Sequence, residues 1–223
     1  MAMAASPRRS PEYISLIGDI VGSRQIPGGQ RARLQQRFQA LIGNLNAKYR
    51  QYLASQFIIT LGDEFQGLLS KAAPIPDIVW DLEEELQDRE FRLGFGIGVL
   101  YTPLQEYAIN LDGPTLHNAR AAIDVAKSGL ELGGVFRGFG KLDTILDGIA
   151  RMLWFHRSRL TRQQRRIVHL LRQGMTHTQI AGRLRVSRQA ISKQAQASGW
   201  GPYAAAETSW RALLQAYVEP MLE

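Results

Sequence analysis

The chain has 223 residues and 45% apolar content, enough to bury one large core or a core with a small module beside it. It holds no cysteine, which excludes a disulfide framework and a thiolate metal site. Its net charge of +7 is concentrated, with 11 Lys or Arg and no Asp or Glu between residues 151 and 201, the electrostatic footprint of polyanion binding.

The opening MAMAASPRRSPE has no apolar centre of a signal peptide, and no later run reaches the length of a membrane span. The expectation is therefore a cytoplasmic protein with no membrane partner and a disordered segment over residues 1–10. Tyr13 to Asp19 (YISLIGD) is an apolar strand ending in a carboxylate. Ile20, Val21, Gly22 and Ser23 lead from it to Pro27-Gly28-Gly29, a strand-to-helix turn where phosphate oxygens can meet backbone amides. From Gln30 to Leu53 the apolar residues Leu34, Phe38, Leu41, Ile42, Leu45, Tyr49 and Leu53 recur every three or four positions, which predicts an amphipathic helix.

Phe57 to Leu69 (FIITLGDEFQGLL) reads as a hairpin bent at Gly62-Asp63-Glu64, with the acids at its tip. Pro74 and Pro76 open a second helix through Ile78, Val79, Leu82 and Leu86. Its acids, Asp77, Asp81, Glu83, Glu84 and Glu85, are expected to form a solvated face. Phe91 to Tyr101 (FRLGFGIGVLY) alternates large residues with glycines, the pattern of a strand crossed closely on one face. The order strand, helix, strand, strand, helix, strand is the split βαβ arrangement of an α+β, ferredoxin-like (βαββαβ) sheet, which sets the first and third strands side by side. Asp19 and Asp63 then converge, and two carboxylates so placed suit Mg²⁺ or Mn²⁺ carrying the phosphates of a nucleotide. Glu64 can alternate to either face, and His117 reads as a hydrogen-bonded structural group.

The pairing of Gly18-Asp19-Ile20 with Gly62-Asp63-Glu64-Phe65 resembles the palm domain of class III nucleotide cyclases and diguanylate (GGDEF) cyclases. Gly113 to Lys127 (GPTLHNARAAIDVAK) is similar to the helix that follows the sheet in class III cyclases. The resemblance implies that Asp19 and Asp63 hold metal ions and that the amides of Ile20 to Ser23 face phosphate. Leu61 stands where the signature's first glycine would be. No lysine and aspartate pair for reading a base is evident, and Arg120 and Arg137 are the candidates for a charge-stabilising arginine.

After the glycine-rich Gly133 to Gly140, Leu142 to Phe155 reads as a joining helix. Thr161 with Gln164 and Thr176 with Gln179 are capping boxes, and Ser187 caps a third helix toward Ala197. Ala181 is the small residue at a helix crossing, and Val186 and Ile191 are expected to plug the core. These three helices resemble a helix-turn-helix of the kind in region four of sigma factors and in response-regulator output domains. In that reading Arg188, Gln189, Ser192, Lys193 and Gln196 face bases or phosphates, while Arg183, Arg185, Arg165 and Arg166 hold phosphates. Trp200, Trp210, Leu213, Leu214, Tyr217 and Val218 mark a last amphipathic helix for core or dimer contacts.

As a whole the chain resembles the SatD family. The expected layout is a cyclase-like domain over 11–141, a linking helix over 142–159, a DNA-binding module over 160–200 and a packing or dimer helix over 201–223. The expected function is a homodimeric, DNA-binding transcriptional regulator that senses a nucleotide with a divalent metal. The alternatives are a metal-dependent nucleotidyl cyclase or nucleotidyltransferase recruited to nucleic acid, and a degenerate scaffold used for dimerisation.

Overall fold

The structure, a computed structural model, describes residues 10–129 and 132–222. Residues 1–9 of the segment expected to be disordered lie outside them. The strands are β1 (Glu12–Ile20), β2 (Leu53–Leu61), β3 (Glu64–Leu69), β4 (Phe91–Val99) and β5 (Val135–Arg137). They form one sheet in the order β2-β3-β1-β4-β5. β1 runs antiparallel to both β3 and β4, and β5 lies parallel to β4. With α1 (Gly28–Tyr49) after β1 and α2 (Ile75–Glu85) after β3, the first six elements have the expected ferredoxin-like connectivity.

α1 stops at Tyr49, earlier than its periodicity suggests, and Leu53 opens β2 opposite Leu69. An apolar residue at that position serves a strand start as well as a helix face, and a single turn at Arg50–Tyr52 separates the two elements. The two faces of the sheet are covered differently. Ile14, Leu16 and Ile20 of β1 join Phe38, Leu45, Leu82 and Phe95 in the main core. Ile17 packs instead with Ala119, Ala122, Ile123 and Ala126 of α3 (Pro114–Gly129), the helix linking β4 to β5.

α3 is the element that crosses the glycine-rich strand. A Cβ on Gly96 would stand 2.1 Å from the Ala119 nitrogen, and one on Gly94 2.5 Å from the Ile123 nitrogen. The approach is held by the buried Thr115 hydroxyl, which accepts from the Ser15 amide at 3.0 Å and lies 2.9 Å from the Tyr13 and Gly96 carbonyls. Asn118 donates to the Ile97 carbonyl at 2.8 Å, so the register of helix on strand is fixed by polar contacts as well as by small residues.

The remaining helices are α4 (Leu142–Ser158), α5 (Arg162–Arg172), α6 (His177–Leu184), α7 (Arg188–Ala197) and α8 (Trp200–Leu213). Both capping boxes form, at Thr161 with Gln164 and Thr176 with Gln179, and the Ser187 hydroxyl accepts from the Ala190 amide. Ile167, Leu170, Ile180, Ala181 and Ile191 make the small core between α5, α6 and α7. Val186 is not part of it and is 41% exposed. The chain reverses at Arg185, in left-handed backbone, which turns the next side chain outward while the Val186 amide closes onto the Ala181 carbonyl at 3.1 Å.

Glu85 is exposed, but the other acids of α2 are paired rather than solvated, Asp81 with Lys48 and Tyr49. Glu83 receives Arg157 at 2.5 and 2.7 Å, Glu84 receives Arg165 at 3.2 Å, and Asp77 receives Arg172 and Arg211, each at 2.8 Å. Glu207 of α8 joins the same cluster at 2.6 Å from both Arg172 and Arg211. The buried Trp80 lies among these groups, donating to His169 at 3.1 Å under the Arg172 guanidinium. α8 and the π-helical turn Leu214–Val218 bring Tyr203, Trp210, Leu214 and Val218 into the main core, so the segment expected at 201–223 packs inside this chain.

Burial alone would raise the Asp77 and Glu207 carboxyls, but the neighbouring guanidiniums of Arg211 and Arg172 hold both below their ordinary values of 3.8 and 4.5. Their folded values are depressed, so the stability they contribute is present above those ordinary values and lost as pH falls through the depressed ones. Acid titration is expected to loosen the junction of α2 with α8, read as a change in the emission of Trp200 and Trp80.

Candidate functional site

Asp19 stands one residue before the end of β1, and Asp63 stands in the two-residue turn between β2 and β3. Gly18 must be glycine, because a Cβ there would meet the Phe65 ring at 2.1 Å. Gly62 takes φ 50, the left-handed backbone that a tight hairpin turn needs. The Ile20 amide donates to the Asp63 carbonyl at 3.1 Å, tying the hairpin tip to the end of β1. The buried Ser23 hydroxyl donates to Asp63 Oδ2 and fixes that carboxylate's orientation.

Antiparallel pairing places Asp19 opposite Glu64 on one side and opposite Arg92 on the other. The three side chains form a row across the central strands on the face that α3 covers. Arg92 lies 3.3 Å from Asp19, and Lys127 of α3 reaches Glu64 at 3.0 Å and Asp19 at 3.7 Å. Arg120 grips both oxygens of Glu64, at 2.9 and 3.0 Å. Burial would raise the Glu64 carboxyl, yet Arg120 and Lys127 together hold it below its ordinary value. Asp19 behaves oppositely: burial raises it and the Asp63 charge adds to that, outweighing Lys127 and Arg92.

Asp19, Asp63, Ser23, Gly22, Arg92 and Lys127 line one cavity of about 340 Å³. A second cavity of about 200 Å³ shares Ile20, Ser23 and Asp63 with it and extends to Arg31, Leu34, Gln35 and Phe38 of α1. The convergence of Asp19 and Asp63 is therefore met. Of the turn amides expected to face phosphate, Ile20 is occupied by Asp63 and Val21 by the Glu90 carbonyl at 2.9 Å. Of the four turn amides, those of Gly22 and Ser23 are not engaged in these two bonds. Among the described residues no group of three His, Cys, Asp or Glu is arranged to hold a metal. Two carboxylates suffice for an ion such as Mg²⁺ that keeps its waters and is completed by substrate phosphates, and a cation would offset both the burial that chiefly raises Asp19 and the Asp63 charge that adds to it.

Arg92 and Lys127 are site residues that sequence reasoning missed. Arg92 does carry a signal, as a lone cation in an otherwise apolar and glycine-rich strand; Lys127 carries none beyond its place in the last turn of a helix. The two arginines considered for charge stabilisation are otherwise engaged, Arg120 with Glu64 and Arg137 with Asp147 at 2.9 Å. His117 is exposed and bonds Asp112 at 2.8 Å.

On the helical module Arg166, Arg183, Arg185, Arg188, Gln189, Ser192, Lys193 and Gln196 are all exposed. Arg165 differs: it turns inward to Glu84 and to the Arg157 carbonyl at 2.9 Å. Among the described residues no helix is long and apolar enough to cross a membrane.

Comparison with solved structures gives a bacterial light-regulated adenylyl cyclase, 11% identical with a TM-score of 0.42, covering 56% of this chain and 75% of that one. It also gives the catalytic core of a rhodopsin-guanylyl cyclase with converted specificity in complex with ATPαS, 14% identical with a TM-score of 0.38, covering 52% and 72%. No curated protein matches the sequence. The model of the SatD family matches residues 13–214, nearly the whole of the fold described above, and the chain belongs to the SatD family.

Proposed function

We propose that this chain binds a nucleoside polyphosphate with a divalent cation at Asp19 and Asp63, and that its reaction class is nucleotidyl cyclisation or nucleotidyl transfer. The observation that carries this reading is the shared cavity, in which two carboxylates from distant parts of the chain meet Ser23, Arg92 and Lys127. A bound Mg²⁺ or Mn²⁺ supplies charge neutralisation at the phosphate oxygens. Asp63, held by Ser23, and Asp19, held between Arg92 and Lys127, orient that cation. Lys127 and Arg92 then neutralise the polyphosphate itself, and the adjoining cavity beside Phe38 and Gln35 has room for an attached group.

The test is thermal unfolding with Mn²⁺ and each nucleoside triphosphate, together with product analysis of the same mixtures. Saturating ligand is expected to raise the unfolding midpoint by about 5–10 °C, from a linkage term of roughly 2.7 kcal/mol at a hundredfold excess over Kd. Asp19→Asn is expected to abolish that shift while leaving the ligand-free midpoint unchanged or higher. An acid whose folded pKa is raised opposes folding once ionised, so removing the charge at neutral pH does not cost stability. A folded Asp19→Asn variant that keeps the ligand-induced shift would overturn this assignment.

A second reading concerns the helical module, which would engage DNA and make the nucleotide site a sensor for a homodimeric transcriptional regulator. It is favoured by one observation: the inward arginines 157, 165 and 172 are neutralised by acids, whereas Arg185, Arg188 and Lys193 are exposed without an acidic partner among the described residues. Duplex binding that weakens steeply with salt and is lost in Arg188→Ala with Lys193→Ala supports it.

A further inference from the structure

Ten glycines and two other residues have positive φ among the described residues. One of those two is Asn110, a residue type that tolerates left-handed backbone well; the other is Arg185, at φ 55 and ψ 45. Arg185 closes α6: its amide bonds the Ala181 and Gly182 carbonyls, and the Val186 amide returns to Ala181. A reversal of that kind favours glycine or asparagine. The Arg185 side chain is exposed and makes no hydrogen bond or ion pair with any described residue. The backbone therefore carries strain at Arg185 that no hydrogen bond or ion pair of its side chain with a described residue offsets.

The position explains what that strain could serve. Arg185 sits in the corner between α6 and α7, flanked by the exposed Arg183 before it and Arg188 after it. We propose that Arg185 is kept in left-handed backbone so that its guanidinium meets the phosphodiester backbone of a nucleic acid docked at this corner. The inference rests on the nucleic-acid reading of the module and adds to it that a stability-optimal residue has been forgone at one named position for a contact outside the chain. Phosphate contacts of this type give affinity and salt dependence without reading sequence.

The experiment uses the full chain, a fluorescein-labelled mixed-sequence duplex DNA, anisotropy across a salt series, and thermal unfolding. Arg185→Gly removes both the strain and the charge, Arg185→Asn does the same by another route, and Arg185→Lys keeps both. The Gly and Asn variants are expected to unfold about 2–4 °C higher and yet bind more weakly, with the slope of log K against log salt shallower by about one. The Lys variant is expected to keep the slope. If the wild-type chain binds the duplex and the Gly variant binds equally with the same slope, this proposal falls and the nucleic-acid reading stands. If the wild-type chain binds no duplex at any salt, both fall together.

Discussion

Gly96→Val is expected to destabilise the fold by about 4 kcal/mol or more, a large share of a typical total of roughly 5–15 kcal/mol. The added Cβ would lie 2.1 Å from the Ala119 nitrogen and 2.4 Å from the Thr115 carbonyl oxygen, both backbone atoms of a helix pinned by the Thr115 hydroxyl and by Asn118. No side chain can swing aside to make room. Relief requires α3 to lift from β4, and that would carry Lys127 and Arg120 away from Asp19 and Glu64. Gly148→Ala is the control: a Cβ there meets nothing within 4 Å, and an exposed helical glycine changed to alanine is expected to stabilise by about 1 kcal/mol. Urea unfolding of the two variants beside the wild type checks both signs.

Glu83→Gln is expected to destabilise by about 3–5 kcal/mol, because it strands a guanidinium that is only 3% exposed. Arg157 gives Nε and Nη2 to the two Glu83 oxygens and leaves Nη1 only a 3.3 Å contact with the Tyr203 hydroxyl. Adding Arg157→Met to the Glu83→Gln variant is expected to recover most of the loss, since a buried pair replaced on both sides by groups that need no countercharge is close to neutral. The comparison is made by chemical denaturation. A double variant no more stable than Glu83→Gln alone would mean that Arg157 acts through its packing against Trp80.

Much of this architecture is readable residue by residue. Alternation in YISLIGD and FIITLGDEF gives the strands, the glycines of FRLGFGIG announce a close crossing on one face of that strand, and three hydroxyl caps mark α5, α6 and α7 within a residue. Each of those signals is local. What is not readable depends on partners far along the chain. Five acids between Asp77 and Glu85 have the pattern of any solvated helix, and only the fold shows that arginines 157, 165, 172 and 211 meet three of them, Asp77, Glu83 and Glu84. The row Glu64, Asp19, Arg92 is a property of strand register, which two antiparallel pairings set together. Asp19 and Asp63 were legible because each ends an apolar run, whereas Lys127 reaches them from the last turn of α3 and nothing in its neighbourhood singles it out.

The placement of Trp210 against Phe136, with ring centroids 6.4 Å apart, has a bearing on synthesis. A ribosome that has produced every strand of the sheet has not yet supplied Trp210, Leu214 or Val218, so the nascent sheet holds an uncovered apolar surface until they emerge from the exit tunnel. For the same reason a fragment cut after residue 159 would not be a self-sufficient domain but a sticky intermediate, the form in which a chaperone would meet this protein.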